Sequence, residues 1–114
     1  MLKVFLSQPM MGKTNDEIIE VRNRIFSALP DILGDAVREI PSFLPKMNKN
    51  RNDVFMLGKS IELMSDAVIV VFAPDYDKAR GCNVEHLVCE MYKIKYVCLY
   101  DDGVSLYPIF GNKS

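Results

Sequence analysis

The sequence predicts a small α/β protein built on a doubly wound parallel sheet, and three stretches carry that prediction. The run Ala67–Phe72 is apolar and rich in β-branched residues, with the length and bias of a strand buried on both faces. Lys3–Ser7 and Tyr96–Tyr100 have the same character near the two ends of the chain. Between these runs lie segments whose apolar residues recur at helical spacing. Strands that alternate with helices through short links form a parallel sheet with right-handed crossovers. The strand order that follows is 2-1-3-4, with its switch point between the first strand and Ala67–Phe72. Ligands bind at that point, outside the carboxyl ends of the strands.

A chain of 114 residues is one domain, 1–114, with room for a single core. Its net charge of −1 offers no basic surface for nucleic acid. No apolar run nears the roughly 20 residues that a membrane helix needs. Met1–Ser7 lacks the apolar length of a signal peptide. Three cysteines, an odd number without ligand spacing, read as reduced thiols of a cytoplasmic protein. With His86 as the single histidine, a histidine-rich metal site is excluded. No cofactor is expected.

The elements follow in order. After Lys3–Ser7, the turn Gln8–Lys13 leads to Thr14, and Glu17 three residues later completes a capping box. A helix therefore starts near Asn15. Ile18, Val21, Ile25, Phe26 and Leu29 give it an apolar stripe that only Arg22 breaks, and Pro30 lies near its end. Asp31–Gly34 turns the chain into a short strand, Ala36–Ile40. Pro41–Asn52 is loop-like and basic, long enough to act as a lid over a ligand. A helix resumes near Asp53, with Leu57, Ile61 and Met64 on one face. Beyond Ala67–Phe72, Pro74 opens an acidic loop, and Val84, Leu87, Val88 and Met91 mark the next helix, Cys82–Tyr92. After Tyr96–Tyr100, Asp101-Asp102-Gly103 is a turn and the tail reads as irregular.

Two motifs bear on chemistry. Ser7–Thr14 falls one residue short of a P-loop, with Ser7 where the first Gly belongs. A P-loop needs its helix to open at the Gly-Lys-Thr with the loop amides turned inward. Here Thr14 reads as the cap itself and Pro9 removes a donor, so an ordinary turn is favoured. Ser7, Gln8 and nearby amides remain able to hold an anionic or sugar group. The second motif is Glu85, which the spacing puts in the first turn of its helix. There a carboxylate serves as a capping partner or sits ionised beside the helix amides. An ionised carboxylate also attacks an anomeric carbon. Asp75 and Asp77 are solvated loop acids or hydrogen-bonding groups for a sugar. Cys89 and Cys98 read as core, His86 as structural or partner-facing, and Met10, Met11, Met56 and Met64 as packing residues.

The segments F-L-S-Q-P-M-M-G-K, L-G-K-S-I-E-L-M-S-D-A-V-I-V-V-F-A-P and A-R-G-C-N-V-E-H together resemble the nucleoside 2-deoxyribosyltransferase-like family. They are most similar to its small, phage-type members. The resemblance implies a flavodoxin-like fold and a homo-oligomer, a homodimer or larger, whose sites a neighbouring subunit completes. It implies cleavage or exchange of the N-glycosidic bond of a nucleoside or nucleotide, with Glu85 at the position of the nucleophilic glutamate. Asp75 and Asp77 are then candidates for acid or sugar contacts, and Ser7, Gln8, Pro9, Met10 and Gly81 for substrate binding. At three places the chain departs from the family. Gly58 stands in place of an acid/base Asp, Ala79 in place of a Ser or Asp that contacts sugar or phosphate, and Phe5 in place of a Tyr. A protein of this fold that binds a nucleotide without turnover is the alternative. A flavin electron carrier ranks below both, since the loops lack an aromatic sandwich.

Overall fold

The computed structural model describes residues 1–42 and 53–112. The first strand, β1 (Leu2–Ser7), leads through the turn at Gly12 into α1 (Asn15–Leu33). Next come β2 (Val37–Glu39), α2 (Asp53–Met64), β3 (Ile69–Phe72), a single 3₁₀ turn (Tyr76–Lys78) and α3 (Arg80–Tyr92). The chain ends in β4 (Tyr96–Asp101) and β5 (Leu106–Gly111). The sheet order is β2-β1-β3-β4-β5, with β1 to β4 parallel, and the fold is the flavodoxin-like, doubly wound one. The expected order 2-1-3-4 is present, extended by one strand. Of the basic stretch expected to act as a lid, residues 43–52 lie outside the described residues.

That added strand corrects the reading of the tail as irregular. Leu106–Gly111 alternates half-buried and exposed side chains and pairs antiparallel with β4 from Tyr96–Gly111 to Asp101–Leu106. The Asp102 carboxylate closes the hairpin by accepting from the Val104 and Ser105 amides, both at 2.8 Å. Pro108 argues against a central strand, but on an edge its missing donor costs little.

Capping at α1 follows the sequence. Thr14 Oγ1 accepts from the Glu17 amide at 3.1 Å, and Glu17 Oε1 accepts from the Thr14 amide at 2.9 Å. Pro30 does not end the helix. It removes one donor near the carboxyl end, and the helix runs on to Leu33. There Gly34, at φ 73°, closes it with its amide on the Pro30 carbonyl.

Alternate strand residues face opposite layers. Val4, Leu6, Ile69, Val71, Val97 and Leu99 pack on Ile25 and Leu29 of α1. On the other face Phe5, Val70, Phe72, Tyr96 and Cys98 pack with Met64 of α2 and Cys89 of α3. Burying each large apolar side chain of this kind contributes roughly 1.5–3 kcal/mol. Because α1 covers one face while α2 and α3 cover the other, the layers part where β1 meets β3. That opening is the switch point.

Helix α3 has the expected helical period, and Cys89 is in the core as expected. Cys82, Glu85 and Cys89 form the buried side, while Val84, Leu87 and Met91 are exposed at 38, 56 and 68%. Three residues of the apolar stripe thus point outward, while Val88 is partly buried and packs against the core. Met11 departs from its expected packing role as well and stands exposed, whereas Met64 is in the core.

Candidate functional site

Ser7 is the last residue of β1 and pairs in register with Phe72, the last of β3. The Ala73 amide donates to the Ser7 carbonyl at 2.9 Å, so both strand ends are tied together. From there β1 departs toward α1, and β3 departs through the 3₁₀ turn toward α3. Ser7 and Gln8 are both buried, although each is polar.

Helix α3 begins at Arg80, two residues before the expected start. Its cap, Ala79, has extended backbone and no side-chain oxygen to offer. Glu85 therefore lies in the second turn rather than the first, and it is not a capping partner. Its side chain points inward, 6% exposed, and its Oε1 accepts from the Ser7 hydroxyl at 2.7 Å. Among the described residues no fully buried side-chain nitrogen or oxygen lacks a hydrogen-bond partner. Oε2 of Glu85 has no such partner, so this second oxygen keeps contact with solvent.

Burial sets the charge of this carboxyl. Desolvation pushes Glu85 up to about 7, and the Ser7 hydroxyl opposes that rise. The expectation of a fully ionised carboxylate is thereby corrected, because the group is too deep and too far along the helix for the end amides to hold its charge. Near neutral pH it exchanges its proton readily, as a general acid or base does. The Cys82 thiol is raised by burial to about 11, with the Ser7 hydroxyl lowering it and the Glu85 charge raising it. Cys89 is pushed up to about 12, chiefly by burial. Such thiols stay protonated and are poor nucleophiles.

Other candidates are placed less closely. Asp75, at φ 66°, and Asp77 are exposed on the loop between β3 and α3. Asp75 pairs with Lys78 at 3.3 Å, and the Asp77 carbonyl accepts from the Asn83 amide side chain. Neither is a hydrogen-bond partner of Glu85. Pro9, Met10 and Gly81 are partly buried near Ser7 and Glu85 in sequence. Gln8 turns beneath the loop. Its Nε2 donates to the Ile18 carbonyl at 2.8 Å, and its Oε1 accepts from Arg22 at 3.2 Å.

Arg22 itself is the residue that the sequence showed without interpreting. It breaks an apolar stripe, which places it on the buried side of α1, and it is 6% exposed. His86, expected to be structural or partner-facing, packs among aromatic rings. Its ring stacks on Tyr76 and meets Phe72 and Tyr96 edge-on, at centroid distances of 5.3, 5.2 and 4.8 Å. This is a packing cluster under α3, and Tyr96 anchors it by donating its hydroxyl to Glu90.

A cavity of about 320 Å³ lies at the other end of the sheet, lined by Leu2, Val68, Ile69, Lys95, Tyr96 and Phe110. It involves the first residues of β1, β3 and β4, and neither Ser7 nor Glu85 borders it. Among the described residues there is no cluster of three His, Cys, Asp or Glu able to hold a metal. Nor is any described helix long and apolar enough to cross a membrane. No family model, curated protein or solved structure matches the chain. The site is thus defined by its geometry, a half-charged buried carboxyl held by one hydroxyl at the switch point of a doubly wound sheet.

Proposed function

We propose that the protein cleaves or exchanges the N-glycosidic bond of a nucleoside or nucleotide, with Glu85 as the nucleophile. The observation that supports this reading is the Ser7–Glu85 pair, which fixes one carboxylate oxygen and leaves the other accessible. In its ionised form Glu85 attacks the anomeric carbon through that free oxygen. A carbon–oxygen bond forms as the carbon–nitrogen bond breaks, and the electron pair departs with the base, which takes a proton from an acid. Water, or a second base, then releases the sugar and restores the carboxylate. The similarity of Ser7–Lys13 and Asp66–Glu85 to the deoxyribosyltransferase-like family supports the same chemistry. Such a protein works as a homodimer or larger homo-oligomer in the cytoplasm, and the outward apolar stripe of α3 is the surface that suits self-association.

One observation favours the second reading, binding of a nucleotide without turnover. Gly58, at the family's acid position, is exposed on α2, and Asp75 and Asp77 are turned to solvent. The two readings separate on a panel of nucleosides and nucleotides assayed for free base. Release that Glu85→Gln abolishes supports the catalyst. Saturable binding with no base released supports the binder. Gly58→Asp adds an arm, since open space surrounds a Cβ at that position. Turnover gained in that variant would mean that the wild-type chain lacks only the acid.

A further inference from the structure

Arg22 is the hub of the carboxyl rim beside Ser7. Its Nε donates to Glu39 Oε1 at 2.5 Å, its Nη2 to Ser42 Oγ at 2.7 Å, and its Nη1 to Gln8 Oε1 at 3.2 Å. The Ser42 hydroxyl donates in turn to the Leu6 carbonyl at 3.2 Å, and the guanidinium lies 5.8 Å from the Phe26 ring centroid. One side chain of α1 thus reaches the turn after β1, the end of β2 and the segment beyond it. A partly buried ion pair of this kind is weak evidence for stability, because desolvation offsets most of its attraction. Its planar fork of donors is better suited to fixing geometry. Gln8 has both ends of its amide engaged, so it is a strut between Arg22 and Ile18 rather than a group aimed at a ligand. The residue that strut adjoins is Ser7.

We infer that Arg22 is a positioning residue, which holds the turn after β1 through Gln8 and so sets the Ser7 hydroxyl on Glu85. The role of Glu85 as the reacting group comes from the reading above. The bond geometry does not depend on it, and the test needs no substrate. The groups facing Glu85 are the Ser7 hydroxyl from β1 and the buried thiols of Cys82 and Cys89 on its own helix.

Carbon-detected NMR of the full chain, labelled at the glutamate carboxyl carbon, follows the titration of Glu85 directly. Ser7→Ala serves as the reference for the lost bond and is expected to move the midpoint upward, since the hydroxyl favours the ionised form. Arg22→Met and Gln8→Met are expected to move it the same way by at least half of that displacement. Gln8→Met leaves the guanidinium in place, so a displacement there is not the loss of a nearby cation. It also decides the question alone should Arg22→Met fail to fold. Wild-type midpoints in folded Arg22→Met and Gln8→Met, beside a displaced Ser7→Ala, would overturn the inference. An undisplaced Ser7→Ala would overturn it too, by removing the link on which it depends.

Discussion

The Ser7 hydroxyl and the Glu85 carboxylate meet at 2.7 Å across 78 residues of sequence. One comes from the end of a strand, the other from the second turn of a helix on the far side of the switch point. Strand pairing fixes the first, and the inward face Cys82–Glu85–Cys89 fixes the second. The bond is a product of the fold as a whole, and its consequences are measurable without knowing the ligand.

Stability should fall as pH rises through neutrality. Glu85 titrates near 4.5 when unfolded and near 7 when folded, so between these values the folded state binds more protons. Its contribution is therefore present in full below the lower value and lost as pH climbs past the upper one. Glu85→Gln removes that dependence. Between pH 5 and pH 8 the stability difference should move in favour of Glu85→Gln by about 2–3 kcal/mol. Denaturant titrations at both pH values check this, and equal differences would mean that the carboxyl is solvated.

Turnover, if Glu85 is the nucleophile, should have the opposite slope. The ionised form attacks, so the first-order rate of base release should rise about tenfold per pH unit below 7 and level off above it. A rate that falls through the same range would assign Glu85 the role of general acid instead.

Much of this architecture was legible in the sequence, and the failures have physical causes. Thr14 and Glu17 announce their helix because capping is local, and Ala67–Phe72 announces its strand because burial on two faces excludes polar residues. The start of α3 was misplaced because Ala79 carries no capping group to mark it. Its apolar spacing marks the helix without saying which way the stripe points, because periodicity identifies a face and not its direction. The β5 strand was hidden by Pro108, whose cost depends on an edge position that sequence does not reveal. Arg22 was visible only as an interruption, since Gln8, Glu39 and Ser42 converge on it from separate elements.

The bare cap of α3 offers a direct gain. Ala79 already has the extended backbone of a cap residue, at φ −115° and ψ 128°, and its carbonyl accepts from the Asn83 amide at 3.0 Å, but its side chain gives no capping hydrogen bond. Ala79→Ser should stabilise the fold by about 1 kcal/mol. Thermal melts of the two proteins measure this. No gain would show that the α3 start is held by other contacts.

Self-association should depend on the α3 surface. Leu87 and Met91 lie one turn apart and are more than half exposed, with Tyr92 beside them at 75%. Light scattering at micromolar concentration should report a dimer or larger species for the wild type. Leu87→Glu with Met91→Glu should give a monomer of unchanged helix content, since neither side chain supports the core. A monomeric wild type would remove the oligomer from the proposed function.

Gly111 should tolerate no side chain while Tyr96 is present. The two residues are directly paired on β5 and β4, and a Cβ at position 111 would lie 2.0 Å from Tyr96 Cζ and within 2.5 Å of its neighbours. The ring cannot swing freely, because Tyr96 is 8% exposed, meets Phe72 and His86 edge-on and is anchored on Glu90. Gly111→Ala should therefore cost about 1–3 kcal/mol, the range for overpacking a filled site. Tyr96→Ala alone should cost about 3–5 kcal/mol by opening a cavity. The double variant should be more stable than the sum of the two losses, because the methyl then enters space that the ring has vacated. Denaturant unfolding of all four proteins closes the cycle. Additive losses would mean that β5 shifts away from β4 to admit the methyl, and that the ring over Gly111 does not set the register of the edge strand.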